Sequence, residues 1–386
     1  MLLAYDKTAV RNHQLQNAAA TMREEGQLTP PQYQAALVAF PVPFKIVNPI
    51  MRVGLFVFTS LCILFAISLM GWLIGFSLNE QILGGLMIIC AIGLSVLSEV
   101  LIKSNKWYRH GSDNALSYAA LICFCTGIVT IAKMNDIVAI GALFTLLSVF
   151  FAWRYGDPAL ALAAYGSLLW TICVFVDAAQ ASALSAAFSI ATISLATYVF
   201  SKNSLNNAAL FYWEDCFSFL EIASLVGIYL SLNYYMVDSF HGQKNYLLPE
   251  NELPKPLPLS WFFTITTTLI PLIYLYLGFK NRDRILWILG SLGVVSSILT
   301  YRYYHSIMPF EWALTLGGLA VLAIAFFLIR YYKTPKKGIS YEPNRSKSNI
   351  IETLVVNQFL QTDAPKQSDT KFGGGDFGGG GASDNY

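Results

Sequence analysis

Residues 53–76 read VGLFVFTSLCILFAISLMGWLIGF, 24 residues without a single charge. A bilayer's hydrocarbon core is about 30 Å thick, and a helix rising about 1.5 Å per residue spans it with about 20 apolar residues. The stretch is therefore long enough to cross a membrane as one helix. Similar stretches recur through the chain as far as Tyr331. The pattern predicts ten spans, at about 53–76, 82–102, 115–132, 136–153, 158–177, 180–200, 211–233, 259–279, 284–301 and 309–330. The expected fold class is all-α, a polytopic helical bundle in a membrane.

Composition agrees. Of the 386 residues 55% are hydrophobic and 12% charged, with a mean hydropathy of +0.52. Soluble domains carry about 25% charge, so a water-soluble core of this size is excluded. The formal charge of +2 gives no reason to expect a nucleic-acid partner. The bilayer itself is the expected partner, with a protein bound through the chain ends as a further expectation.

Start signals precede several spans: Ser112-Asp113, Asn135-Asp136 and Asp157-Pro158 are each suited to cap a helix. Before the first span, residues 1–50 read as a helical hairpin. One amphipathic helix covers about 5–25 and ends at Gly26, and Thr29-Pro30-Pro31 opens a second to about Phe40. No signal-peptide core precedes Asp6. Residues 51–332 form the membrane domain, in which 237–258, with four prolines, is expected to be an exposed extracytoplasmic loop. Residues 333–386 are an expected flexible tail ending FGGGDFGGGGASDNY, a composition that cannot form a packed core. Within the tail Asn349-Ile350-Ile351-Glu352 resembles a capping box, opening either a surface helix or a transient one.

Orientation is read from Lys and Arg in short loops. Lys103, Lys106, Arg109, Arg154, Lys202, Lys280, Arg282, Arg284, Arg330, Lys333, Lys336 and Lys337 fall on one side, against Lys133, Lys244, Lys255 and Arg302 on the other. The bias predicts cytoplasmic N- and C-termini. Tyr234, Tyr235, Trp261, Tyr303 and Tyr304 are expected at the outer interface as an aromatic belt.

Charges inside spans are the best pointers to function, because each costs about 2.5–3.5 kcal/mol at a helix centre and needs a partner or water. Glu214 and Glu221 share a face of the seventh span with Ser218 and Ser224. Glu99, at the inner end of the second span, would join them in an acidic vestibule if those helices were neighbours. Such a vestibule would bind a cation or relay a proton. The alternative is that Glu214 and Asp215 sit among head groups and Glu221 is satisfied locally. Small residues, Ser185, Ser189, Thr192 and Ala196 on the sixth span with Ala161, Ala164 and Gly166 on the fifth, predict close packing, the alternative being a substrate path lined with hydroxyls; Gly71-x-x-x-Gly75 on the first also predicts a helix contact.

Enzyme signatures are absent: there is no G-x-S-x-G, H-E-x-x-H, Walker loop or dinucleotide fingerprint. The four histidines are isolated, and Cys123 and Cys125 point to different helix faces, so neither metal nor cofactor is expected. The reading is of a non-enzymatic scaffold or regulatory component, or alternatively a proton- or cation-coupled secondary transporter acting through Glu221. A membrane-embedded enzyme is the remaining alternative.

The segment Glu25-Gly26-Gln27-Leu28-Thr29-Pro30-Pro31-Gln32, followed by serial apolar spans, resembles bacterial multi-pass proteins of the DUF2157-like group. The glycine-rich end is similar to the tails of TPM-type bacterial membrane proteins. These resemblances imply a bacterial cytoplasmic membrane and supply no site residue.

Overall fold

A computed structural model describes residues 3–305, apart from 25, 46, 75–78, 180, 247–256 and 282, together with scattered positions between 311 and 330. Among the described residues the fold is all-helical, with no strand. Helices α1 (Lys7–Glu24) and α2 (Pro30–Ala39) precede α3 (Pro49–Ile74), α4 (Glu80–Asn105), α5 (Ser112–Ala132), α6 (Ile137–Tyr155), α7 (Pro158–Ala178) and α8 (Ala183–Leu205). A 3-10 turn at Ala208–Trp213 leads into α9 (Glu214–Ser231), then α10 (Tyr234–Tyr246), α11 (Ser260–Asn281) and α12 (Arg284–His305).

Eight helices are long and apolar enough to cross a membrane, and a ninth crossing results if the bent pair 209–231 and 234–242 is one span. The chain is therefore a multi-pass membrane protein by length and composition of its helices. The described positions between 311 and 330 are helical, but the tenth expected span falls largely outside the described residues. The expected tail, including its short helix, lies outside them entirely.

The chain divides into two units. In the smaller, residues 14–40, the latter part of α1 packs on α2. Leu15, Ala19, Met22, Leu28 and Ala36 form its core, and the Thr29 N–H donates to Gln32 Oε1 at 2.9 Å, closing the second helix's first turn. The larger unit holds residues 1–13 and the bundle.

In the bundle, successive helices pair: α4 with α5, α6 with α7, α8 with α9 and α11 with α12, while α3 leans on α5. Side-chain caps fix where α6 and α7 begin. Asp136 Oδ1 accepts the Val138 N–H at 3.0 Å, and Asp157 Oδ1 accepts the Ala159 N–H at 2.7 Å just before Pro158. The α4–α5 crossing is set by two glycines. A Cβ on Gly84 would stand 3.0 Å from the Gly127 carbonyl oxygen, and one on Gly127 3.0 Å from that of Gly84. Only backbone fits there.

Small residues do mediate packing, but on other faces than expected. On α8 the buried residues are Ala186, Ala187, Ser194, Ser201 and Ser204, with Ala187, Ser194 and Ser201 seven apart on one face, whereas Thr192 and Ala196 are exposed. Gly227 of α9 admits this face, since a Cβ there would be 2.7 Å from the Ser194 Oγ and 2.2 Å from the Tyr165 Oη. Ala161 and Ala164 are buried as expected, but Gly166 is exposed, and Gly71 has nothing within 4 Å of where its Cβ would be. Every face of these helices carries small residues, so spacing alone does not select one.

The expected loop at 237–258 also needs correction, since residues 234–246 are helical. The chain bends by 63° between α9 and α10. Inside a bundle the backbone groups freed by such a break must find partners. Thr266 Oγ1 donates to the Leu232 carbonyl at 2.8 Å and Thr267 Oγ1 accepts the Tyr234 N–H at 2.8 Å. Asn233 Oδ1 accepts the Tyr235 N–H at 3.0 Å, and its Nδ2 donates to Tyr229 Oη at 3.0 Å. Beyond the bend the tyrosines expected in one belt do meet: Tyr234 with Tyr304 at 4.8 Å between ring centres, and Tyr235 with Tyr303 at 5.1 Å.

Candidate functional site

The alternation of helix directions brings the ends of α4, α6 and α8 and the starts of α5, α7, α9 and α12 to one end of the bundle. Two polar clusters form there, and they differ in how their charges are held.

The first is tightly bonded. Tyr5 donates its hydroxyl to Asp113 Oδ2 at 2.6 Å, and Asp113 Oδ1 accepts the N–H groups of Gly111 and Asn114, each at 3.0 Å. Both Tyr5 and Asp113 are buried. Burial, and then the Asp113 carboxylate, push the Tyr5 phenol well above its ordinary range, so it stays a donor. Asp157 accepts from Tyr118 Oη at 2.9 Å and from Asn114 Nδ2, besides capping α7. Arg109 pairs with Asp215 and donates to the Gly156 carbonyl at 3.1 Å. Arg154 grips Glu99 with Nε at 2.9 Å and Nη2 at 2.5 Å, while its carbonyl accepts the Ala4 N–H at 3.0 Å. The arrangement ties the N-terminal segment to the bundle. Its acceptors are spent on helix starts and on guanidinium groups, which is structural work.

The second cluster joins three helices. Lys202 Nζ of α8 lies 3.8 Å from Glu221 Oε1 of α9 and 3.8 Å from Asp283 Oδ2 at the start of α12, and donates to Tyr198 Oη at 2.8 Å. Glu221 and Asp283 are buried, with side chains 2% and 7% exposed, and Lys202 is 40% exposed. Asp283 also caps α12, with Oδ1 accepting the Ile285 N–H at 3.0 Å. These ion pairs are longer than the one in which two Arg154 nitrogens donate to a single oxygen of Glu99. A carboxylate buried beside a partly exposed ammonium, reached from the bundle's end, can exchange a proton or coordinate a small cation when the lysine moves.

Of the residues singled out from sequence, Glu221 is in this cluster. Ser224 supports its turn, with Oγ donating to the Glu221 carbonyl at 2.9 Å. Ser218 and Glu214 stand half-buried on the same helix. Glu99 does not join them. It belongs to the Arg154 pair, because α4 packs on α5 while α9 packs on α8, and the cation nearest Glu99 comes from α6. The acidic vestibule between the second and seventh spans is therefore corrected to a mixed-charge cluster between α8, α9 and α12.

Sequence reading missed Lys202, Tyr198 and Asp283 as site residues. Lys202 reads as a topology marker and Asp283 as a loop residue. A usable signal was present in Tyr198 and Lys202, which are four apart and so share a helix face, and in Asp283 standing directly before a span.

Comparison of the chain with protein-family models, with curated proteins and with solved structures finds no match.

Proposed function

We propose that this multi-pass protein is a proton- or cation-coupled secondary transporter whose ion-binding group is Glu221. One observation carries the reading: Glu221, nearly inaccessible within an apolar bundle, is joined by Lys202 and Asp283 from two other helices. An intramembrane acid is expensive to place, and such groups mark ion and substrate routes. The interrupted helix between α9 and α10, at the far end of α9 from Glu221, and Pro271 within α11 are further features in keeping with transporters, which use broken helices. The membrane we propose is the bacterial cytoplasmic membrane, with both termini cytoplasmic, on the Lys and Arg bias and the resemblances of the N-terminal hairpin and the tail.

The test is proton and cation flux in vesicles reconstituted with the purified chain. Glu221→Gln should abolish flux while the protein inserts and melts normally. Flux equal to that of the unaltered chain would refute the assignment.

A second reading, a non-enzymatic scaffold or regulatory component, is favoured by the N-terminal segment held through Tyr5–Asp113 and Ala4–Arg154. A scaffold should lose a co-purifying partner when residues 1–45 or 334–386 are removed. Unaltered co-purification after both deletions would rule it out.

A further inference from the structure

An apolar groove runs along the bundle between α3, α4 and α5, where α3 and α4 both lean on α5. Met70, Ile89, Gly93 and Leu101 lie along it, and Trp107 and Ser112 are at one end. From Ile89 to Leu101 it extends twelve residues of helix, about 18 Å. One leaflet of a bilayer contributes about 15 Å of hydrocarbon. The groove thus has the length of a single acyl chain. Gly93 keeps it open, since nothing lies within 4 Å of where its Cβ would be.

The end at Trp107 is cationic. The Lys45 N–H donates to the Lys106 carbonyl at 3.0 Å, and Lys45 pairs across Trp107. Gly111, one residue before the groove-lining Ser112, has φ +100°, and a Cβ there would stand 2.2 Å from the Arg52 carbonyl oxygen. The first turn of α3 and the chain around Trp107 are therefore pressed together, bringing Lys45, Arg52 and Lys106 to the same mouth. Among the described residues none of these three is in a salt bridge, whereas Arg109, Arg154 and Lys202 all are. Trp107 is half-buried and stacked on His110 at 4.5 Å, in the position of an interfacial aromatic residue.

We infer that this groove holds one acyl chain of an anionic phospholipid, with its phosphate at Lys45, Arg52 and Lys106. The apolar trough alone would accept any lipid. The three cations at one end, none of them in a salt bridge among the described residues, select a negative head group, as basic pockets between membrane helices do.

The test is native mass spectrometry of the full chain in mild detergent with equimolar phosphatidylglycerol and phosphatidylcholine. The unaltered chain should retain one phosphatidylglycerol in preference. Each cation near an anionic head group strengthens binding about fivefold, so Arg52→Gln alone should weaken retention about fivefold. The triple change Lys45→Gln, Arg52→Gln, Lys106→Asn should erase the preference. Gly93→Leu, which fills the trough, should abolish retention, while Gly85→Leu, with equal room for its Cβ but away from the groove, should not. Equal retention of both lipids, or of neither, overturns the inference, as does a Gly93→Leu chain that still holds its lipid. Should a variant unfold, quenching in the unaltered chain decides. Phosphatidylglycerol with brominated acyl chains should quench a fluorescence component that Trp107→Phe removes, and lack of that component overturns the inference.

Discussion

Replacing Lys202 by Met tests how the bundle tolerates its buried acid. Lys202 Nζ lies 3.8 Å from both Glu221 and Asp283. At an effective dielectric of about 20, unit charges at that separation attract by about 4 kcal/mol each before desolvation is counted. Losing one partner of a buried pair costs about 3–5 kcal/mol. Lys202 is 40% exposed, so water screens part of this, and a destabilisation of about 2–3 kcal/mol is expected. Glu221→Gln should cost about 1 kcal/mol or less, because Lys202 keeps Asp283, Tyr198 and solvent. The double variant should then recover about half of what Lys202→Met lost, because Asp283 still lacks Lys202. Reversible unfolding in mixed detergent micelles, run as a double-mutant cycle, measures the coupling directly. Coupling above about 1 kcal/mol is expected. Additivity within about 0.5 kcal/mol, the behaviour of independent sites, would show that the two groups do not act as a unit and would remove the electrostatic basis for the site.

Tyr5→Phe removes the hydroxyl bonded to Asp113 at 2.6 Å. A hydrogen bond to a charged group contributes about 1.5–3 kcal/mol, so limited proteolysis within residues 1–13 should accelerate at least about tenfold, and an unchanged rate would contradict the anchoring role. Gly127→Val puts a branched side chain where a Cβ already stands 2.7 Å from Ile88 Cγ1. Overpacking typically costs about 1–3 kcal/mol, to be read as a lower unfolding temperature, whereas Gly85→Ala, with open space, should be near neutral. His13, beside Tyr108, has its imidazole pKa held below 6.5 by burial and by the Arg109 charge. The unfolded chain therefore binds this proton first, so stability is undiminished above about pH 6.5 and falls as pH drops from there toward the folded value. His13→Gln should flatten that part of the stability profile, and identical profiles would show that His13 does not contribute to it.

The candidate site divides sharply into what was legible and what was not. Glu221 stood out because an acid inside a largely apolar span violates the local pattern, and patterns of that kind are visible one residue at a time. Its partners were invisible because Lys202 is nineteen positions away and Asp283 sixty-two, each in a segment where a charge is ordinary. Glu99 was wrongly grouped with Glu221 for the same reason. Sharing one end of a bundle is a matter of helix direction, whereas sharing an ion pair depends on which helices touch.

The eight helices long and apolar enough to span were legible in sequence alone: apolar length against bilayer thickness, with Asp136 and Asp157 marking starts. Lipid leaves the backbone no alternative to internal hydrogen bonds, so composition suffices. What tertiary structure decided is everything between helices. The bend after Ser231 exists because Thr266 and Thr267 of another helix take up the freed backbone groups, and α8 presents Ser194 because Gly227 admits it. Lipid solvates apolar faces as well as another helix does, so hydrophobicity cannot choose neighbours. Close backbone approach and buried polar partners make that choice, and both are relations across the fold.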